Sequence, residues 1–319
     1  MPKKKYAIGV DLGGTSIKIG LVDSKGKIVK KVSVDSCAAN GPDAVIGQII
    51  KGIRLITNKK NDKIIGIGIG APGAVKLKKG TVENPPNFPN WGKVHLGKAI
   101  KEKFDCDVYV ENDANAAAIG ELIYGAGRKI ENFIMITLGT GVGGGIIINK
   151  KIYRGETGGA GEIGHVTIDY EGPQCKCGSF GCIESYLGNN YLIDRVKKQL
   201  QDRRDSLLIK LANNDLNLLT PQLIHQAAED GDDFARSIIV DCGSKLGYVL
   251  ASAVNILDIT TVFIGGGVAG FGQILFDSVE LSLKERVIKP FRERIIVKPA
   301  KLKNNAGIKG ASALVFYKS

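Results

Sequence analysis

No uninterrupted apolar run in this 319-residue sequence is long enough to cross a bilayer, since a spanning helix needs about 20 such residues. A secretion signal is also missing: the basic start at residues 3–5 leads into a short apolar run that Asp11 interrupts, with no cleavage site. A cytoplasmic protein without a membrane partner is the expectation. Acidic residues are in deficit, 32 against 44 basic ones, which leaves a formal charge of +12. The lysines are scattered rather than gathered into a stripe. Short clusters at 3–5, 59–60 and 76–79 read as solvated faces, so no nucleic-acid partner is expected. Charge alone names no partner, and an anionic small substrate is compatible with it. Hydrophobic (44%) and charged (24%) contents are those of an ordinary globular chain. At this length one small core does not suffice, and two lobes are the default.

Glycine, by contrast, is abundant: 42 residues without a collagen-like period, which asks for a local explanation. Residues 6–10, a turn at 12–15 and the run 17–22 read as a β-hairpin, because β-branched residues flank a turn that glycine makes easily. The same layout returns at 134–138, 139–144 and 145–148, and Leu12-Gly13-Gly14-Thr15 overlays Leu138-Gly139-Thr140-Gly141. Two lobes built on one plan are therefore expected. Helices are predicted at 44–57 and 114–124, strands at 64–69 and 107–110, with Asn112 or Asp113 placed to cap the second helix. The loop 84–91, with three prolines, cannot be regular and is expected to fold over something. Further helices are predicted at 186–200, 220–230, 234–256, 273–286 and 305–317, and a strand at 260–264. This alternation predicts an α/β architecture with sheets covered by helices.

Glycine turns leave backbone N–H groups pointing outward, an arrangement that binds phosphates. Residues 139–144 also spell G-x-G-x-x-G, but a dinucleotide site needs a helix directly after the loop and here a strand follows. Neither turn is a Walker A motif, since no Gly-Lys-Ser or Gly-Lys-Thr is present. The bland reading of both is a tight turn. A third cluster, Gly265, Gly266 and Gly267, fits either close approach of a nucleoside or dense packing at a strand end. Of six cysteines, Cys175, Cys177 and Cys182 fall within eight positions, which in a chain without an export signal points to a metal rather than disulfides. Cys37, Cys106 and Cys242 stand alone and read as small buried apolar residues.

Taken in order, Asp11-x-Gly13-Gly14-Thr15, Glu111-Asn112-Asp113-Ala114-Asn115-Ala116-Ala117, Leu138-Gly139-Thr140-Gly141-Val142-Gly143-Gly144-Gly145, Glu162-Ile163-Gly164-His165 and Cys175-x-Cys177-Gly178-x-x-Gly181-Cys182-x-Glu184 resemble the motifs of the ROK family of repressors and sugar kinases. Within it the sequence looks most like the bacterial glucokinases. The resemblance implies the two-lobed actin-like ATPase and hexokinase fold, with the active-site cleft between lobes. Residues 1–113 with a C-terminal helix at about 303–319 would form the small lobe, and 114–302 the large lobe with a zinc site. The implied activity is ATP-dependent phosphorylation of a hexose at its primary hydroxyl, glucose first, with N-acetylhexosamine and fructose as alternative substrates. A non-catalytic sugar sensor is more remote, as is a repressor, because repressors of this family carry a helix-turn-helix domain ahead of the first hairpin and only ten residues precede Asp11 here. A homodimer is implied by the family alone.

Roles follow from the same resemblance. Asp113 matches the catalytic carboxylate that takes the proton of the attacking hydroxyl. Asn87, Asn112, Glu162, His165 and Glu184, with Asp113, would contact the sugar. Asp11, Gly13, Gly14, Thr15, Gly139, Thr140, Gly141, Gly265, Gly266 and Gly267 would hold ATP, with Mg²⁺ near Asp11. His165, Cys175, Cys177 and Cys182 make a closed set suited to structural Zn²⁺. One ring nitrogen of His165 is expected on the metal and the other on a sugar hydroxyl.

Overall fold

The chain opens with β1 (Lys5–Leu12) and β2 (Ser16–Asp23), an antiparallel hairpin in register from Tyr6↔Asp23 to Leu12↔Ile17. β3 (Ile28–Asp35) pairs with β2, α1 (Pro42–Ile56) follows, and β4 (Lys63–Ala71) returns parallel to β1. A small antiparallel sheet of β5 (Ala74–Lys76), β6 (Thr81–Glu83) and β7 (Lys93–Val94) flanks the proline loop. After α2 (Leu96–Lys101), β8 (Val108–Asn112) joins β4 in parallel, and α3 (Asp113–Tyr124) starts at its end. The order β3-β2-β1-β4-β8 puts β1 and β4 at the centre, where their consecutive buried residues show both faces covered. In this computed structural model residues 5–57, 63–203 and 205–317 are described. Lys3, Lys4, Lys59 and Lys60, counted above among the basic clusters, lie outside them.

A second sheet repeats the plan. It contains β9 (Phe133–Leu138), β10 (Val142–Ile148), β11 (Lys151–Tyr153), β12 (Thr261–Gly266) and β13 (Ile296–Pro299), in the order β11-β10-β9-β12-β13. Between β11 and β12 come α4 (Glu184–Leu187), α5 (Asn189–Leu200), α6 (Leu207–Leu211), α7 (Pro221–Glu229) and α8 (Asp233–Leu257). α9 (Gln273–Arg286) and α10 (Lys289–Arg292) precede β13, and α11 (Ala306–Phe316) closes the chain. Two details differ from the expected elements. The second glycine turn is shorter than 139–144, because Gly139 N–H donates to the Gly141 carbonyl at 2.9 Å and Val142 already begins β10. The helix expected at 186–200 is two helices, broken at Gly188 (φ −59°, ψ 136°), where a Cβ would stand 2.9 Å from the Thr140 carbonyl oxygen.

Two compact units result: Met1–Glu131, Gly145–Gly161 and Lys301–Ser319 form the first, Asn132–Gly144 and Glu162–Ala300 the second. In the first, Ile17, Ile19, Ile49, Ile53, Ile67 and Ile69 belong to one core cluster with α1 over the sheet. α11 lies so close to β1 and β4 that a Cβ on Gly9 or Gly68 would collide with the carbonyl oxygens of Ile308 and Ala311. Part of the glycine excess is thus explained by backbone packing rather than by turns. In the second unit α8 is long and apolar enough to cross a membrane by length and composition. Here it is a core helix packed between α7 and α9, with Ile239, Leu246, Leu250 and Val254 buried.

Candidate functional site

Ligand sites of α/β sheets lie beyond the carboxyl ends of their parallel strands, and the first unit gathers candidate residues there. Register places Asp11 beside Gly70, Gly70 beside Glu111, and Ala71 beside Asn112. Asn112, not Asp113, is the N-cap of α3: its side-chain oxygen accepts from Ala114 N at 2.9 Å and Asn115 N at 3.2 Å. Its amide nitrogen donates to the Gly73 carbonyl at 3.3 Å. Asp113 is the first helical residue, exposed, with Oδ1 accepting from Ala114 N at 2.8 Å. That end of a helix favours negative charge, so cap and carboxylate coexist.

Burial pushes the Asp11 carboxyl above the usual range, with Lys18 opposing. Its carboxylate lies against Gly307 at the start of α11, where a Cβ would strike it. In the adjoining turn, Gly13 N–H donates to the Ser16 carbonyl at 3.2 Å, while the Ser36 hydroxyl donates to the Gly14 carbonyl and Ser36 N–H to that of Thr15 at 3.1 Å. Asn87, in a left-handed conformation (φ 66°), packs against Gly14, whose absent Cβ would be 3.0 Å from that of Asn87. The proline loop is anchored by Phe88 and Trp91, stacked edge-on at 5.1 Å, and by Trp91 Nε1 donating to the Val82 carbonyl at 3.2 Å. Sequence reasoning gave Glu111 no role and missed Arg154. Glu111 is buried, and its Oε2 accepts from Arg154 Nε at 2.9 Å. The motif containing Glu111 is visible in the sequence; a partner 43 positions away is not.

In the second unit, Gly139, Thr140 and Gly141 form the tip between β9 and β10, and Asn189 N–H donates to the Gly139 carbonyl at 3.0 Å. Gly266 pairs with Leu138 on the neighbouring strand and has φ 94°, with no room for a Cβ beside the Leu138 carbonyl oxygen. The third glycine cluster and the second turn thus lie at adjacent strand ends. Glu184, first residue of α4, turns Oε2 to Val142 N at 3.0 Å and Oε1 to within 3.9 Å of Cys175 Sγ.

The ligand atoms of His165, Cys175, Cys177 and Cys182 all lie within 4.8 Å of one another. Cys177 and Cys182 sulfurs are 3.6 Å apart; two sulfurs on one tetrahedral zinc at about 2.3 Å each would be separated by about 3.7 Å. His165 Nδ1 is 3.8 Å from Cys175 Sγ, while Nε2 faces Glu162 Oε2 at 3.9 Å. Burial pushes the Cys175 thiol up to about 12, whereas a hydrogen bond from the Ser179 backbone holds the exposed Cys177 thiol below its usual value. The donors fit a zinc ion, which would itself favour thiolates at all three cysteines.

A profile of the ROK family matches residues 7–318. A glucokinase of Thermotoga maritima is 35% identical over 315 residues, covering 99% of this chain and 98% of that protein. A xylose repressor of Caldicellulosiruptor bescii is 32% identical over 97% of this chain but 77% of its own length. Among solved structures, a ROK family glucokinase from Streptomyces griseus in complex with glucose and AMPPNP superposes with a TM-score of 0.85 at 33% identity, covering 97% of this chain and 98% of that one.

Proposed function

The chain belongs to the ROK family and has its two-lobed actin-like ATPase fold, and from that premise we propose that it transfers the γ-phosphoryl group of ATP to the primary hydroxyl of a hexose, glucose first. The observation that carries this reading is the end-to-end similarity to a glucokinase, 35% identity over 99% of the chain. In this reading Asp113 accepts the proton of the sugar hydroxyl as its oxygen attacks the γ-phosphorus and ADP leaves. The exposed carboxylate at a helix start is suited to that task, being reachable and placed where a helix favours negative charge. Asn112, Asn87, Glu162, His165 and Glu184 bind the sugar hydroxyls, and the glycine turns at 13–15, 139–141 and 265–267 take the nucleotide.

Asp11 is the residue that would hold Mg²⁺, whose chemistry is to neutralise charge on the phosphates. A buried carboxylate raised above its usual range is one that gains from a cation. His165, Cys175, Cys177 and Cys182 would hold Zn²⁺ through Nδ1 and three sulfurs, which supplies rigidity rather than reaction chemistry. Nε2 of His165, beside Glu162, is then left for the sugar. A cytoplasmic homodimer feeding glycolysis completes the proposal; sedimentation of the purified chain checks the dimer.

A second reading, a sugar-responsive regulator, is favoured by the 32% identity to a xylose repressor. One assay separates the two. Mg²⁺- and ATP-dependent phosphorylation is measured on glucose, mannose, fructose, N-acetylglucosamine and N-acetylmannosamine. Turnover strongest on glucose is the expected result. Preference for an N-acetylated sugar would replace the substrate and keep the mechanism, and binding without turnover on any sugar would sink the kinase reading.

A further inference from the structure

Glu111 and Arg154 take no part in the function just proposed. Yet Glu111 is only 3% exposed, and its carboxylate holds three partners: Oε2 accepts from Arg154 Nε at 2.9 Å, Oε1 from Asn112 N at 3.0 Å and from Asn115 Nδ2 at 3.3 Å. Burying a carboxylate is unfavourable unless it is paired and hydrogen-bonded. Even then, an apolar pair of similar volume is often as stable or more so. Net stability is therefore a poor reason for this pair, and geometry is a better one.

What the pair joins is specific. On one side, Glu111 fixes the backbone of Asn112 and the first turn of α3 from inside the sheet, and Asp113 lies between the two anchoring points. On the other, Arg154 follows β11 and opens the segment 154–161. Its carbonyl accepts from Ala160 N at 3.1 Å, and Gly155 (φ 67°) and Gly158 (φ 96°) take left-handed conformations that shape the loop. Gly158 packs over β5, with the Val75 carbonyl oxygen 3.3 Å from the position of a Cβ, next to the Gly73 carbonyl that Asn112 holds. The loop, the 73–75 segment and the Asn112-Asp113 junction thus share one framework.

We propose that the Glu111–Arg154 pair is a positioning device that locks the 154–161 loop to the strand-to-helix junction carrying Asp113, so that the aim of the base depends on the loop. This rests on the kinase reading. Glu111→Gln, Arg154→Gln and their double variant are compared with the unaltered chain. Each single change is expected to lower kcat about 10- to 100-fold, as a misplaced catalytic group does, with KM for ATP within about twofold. The double variant is expected to be no worse than the weaker single one, because the two residues act as a unit, and Arg154→Lys to recover part of the loss. Faster deuterium exchange of the 112–115 amides in the single variants is the readout independent of turnover. Wild-type kcat in the singles, or losses that multiply in the double, would overturn the inference. Should Glu111→Gln not fold, the partly exposed Arg154 carries the test alone through its Gln and Lys variants. If the unaltered chain phosphorylates no hexose, the kinase reading fails by itself; unchanged exchange at 112–115 would then still reject the positioning role.

Discussion

Asp11, at the end of β1, and Asp113, just past the end of β8, flank the end of β4 and differ in their surroundings. Asp113 is exposed at the start of α3, where the helix favours its charge. Asn at this position keeps the shape and removes the base. Asp113→Asn is expected to lower kcat by about 10²- to 10⁴-fold while leaving the sugar Kd, read from the fluorescence of the single tryptophan Trp91 in the proline loop, within a fewfold. A variant with near wild-type kcat would remove Asp113 from the chemistry. Asp11 has the reverse problem. Burial raises its pKa in the fold above 3.8, so between the unfolded and folded values the folded state binds more protons. Stability from this group is complete below the unfolded value and is lost as pH rises through the folded one. Asp11→Asn should therefore raise Tm in the absence of Mg²⁺ at pH values above the folded pKa, with the gain shrinking as pH falls toward the unfolded value, and should lower kcat on the order of 10²-fold. A lowered Tm at pH 7 would mean the carboxylate is stabilised by groups other than Lys18. Residues of this kind are legible from sequence because a motif surrounds them. Arg154 was not, since its meaning comes entirely from a carboxylate 43 positions earlier.

Elements were legible where apolar periodicity is long. α1, α3, α7, α8, α9 and α11 fall within two residues of the expected bounds at each end, and β1, β4 and β12 lie where β-branched runs announce them. β5, β6, β7, β11 and β13 are two to four residues long and were not foreseen; their pairing is decided by partners, not by local preference. The break at Gly188 was hidden for a similar reason, because the Thr140 carbonyl that crowds it is distant in sequence. The cysteine-bearing segment 166–182 has almost no regular structure of its own, only the bridges Thr167↔Cys182 and Gln174↔Phe180. A zinc ion bound by its cysteines would staple such a segment and help hold Glu184 against Val142 N. One zinc per chain by elemental analysis is expected for the purified protein, and Cys182→Ser should lose it and lower Tm by at least about 5 °C. A metal-free preparation with unchanged Tm would rule out the structural zinc.

At the scale of the molecule, the chain passes between the two units at 131/132, 144/145, 161/162 and 300/301. The first unit is consequently assembled from three stretches, and its last contribution is α11, from the end of the chain. No local pattern announces this: residues 305–317 read locally as a short helix rich in small residues, and only the family resemblance attached a C-terminal helix at about 303–319 to the small lobe. Its partners explain that composition. α11 lies on β1 and β4 at Gly9 and Gly68, and meets α3 where Gly120 would place a Cβ 2.8 Å from Gly310 Cα. Helices this close leave no space for water or for a substitute, and Ile308, Ala311, Ala313 and Leu314 are all buried. Deleting residues 301–319 would expose that face of the central strands and remove several fully buried side chains, each contributing roughly 1–3 kcal/mol, against a total stability of about 5–15 kcal/mol for a domain. The shortened chain is therefore expected to lose cooperative unfolding in the first unit. Circular dichroism should show a loss of helix beyond α11 itself, and deuterium exchange should show β1, β4 and α3 unprotected while α8 and α9 of the second unit stay protected. A truncated protein that retains protection in β1 and β4 would show that α11 is an accessory to that core rather than part of it.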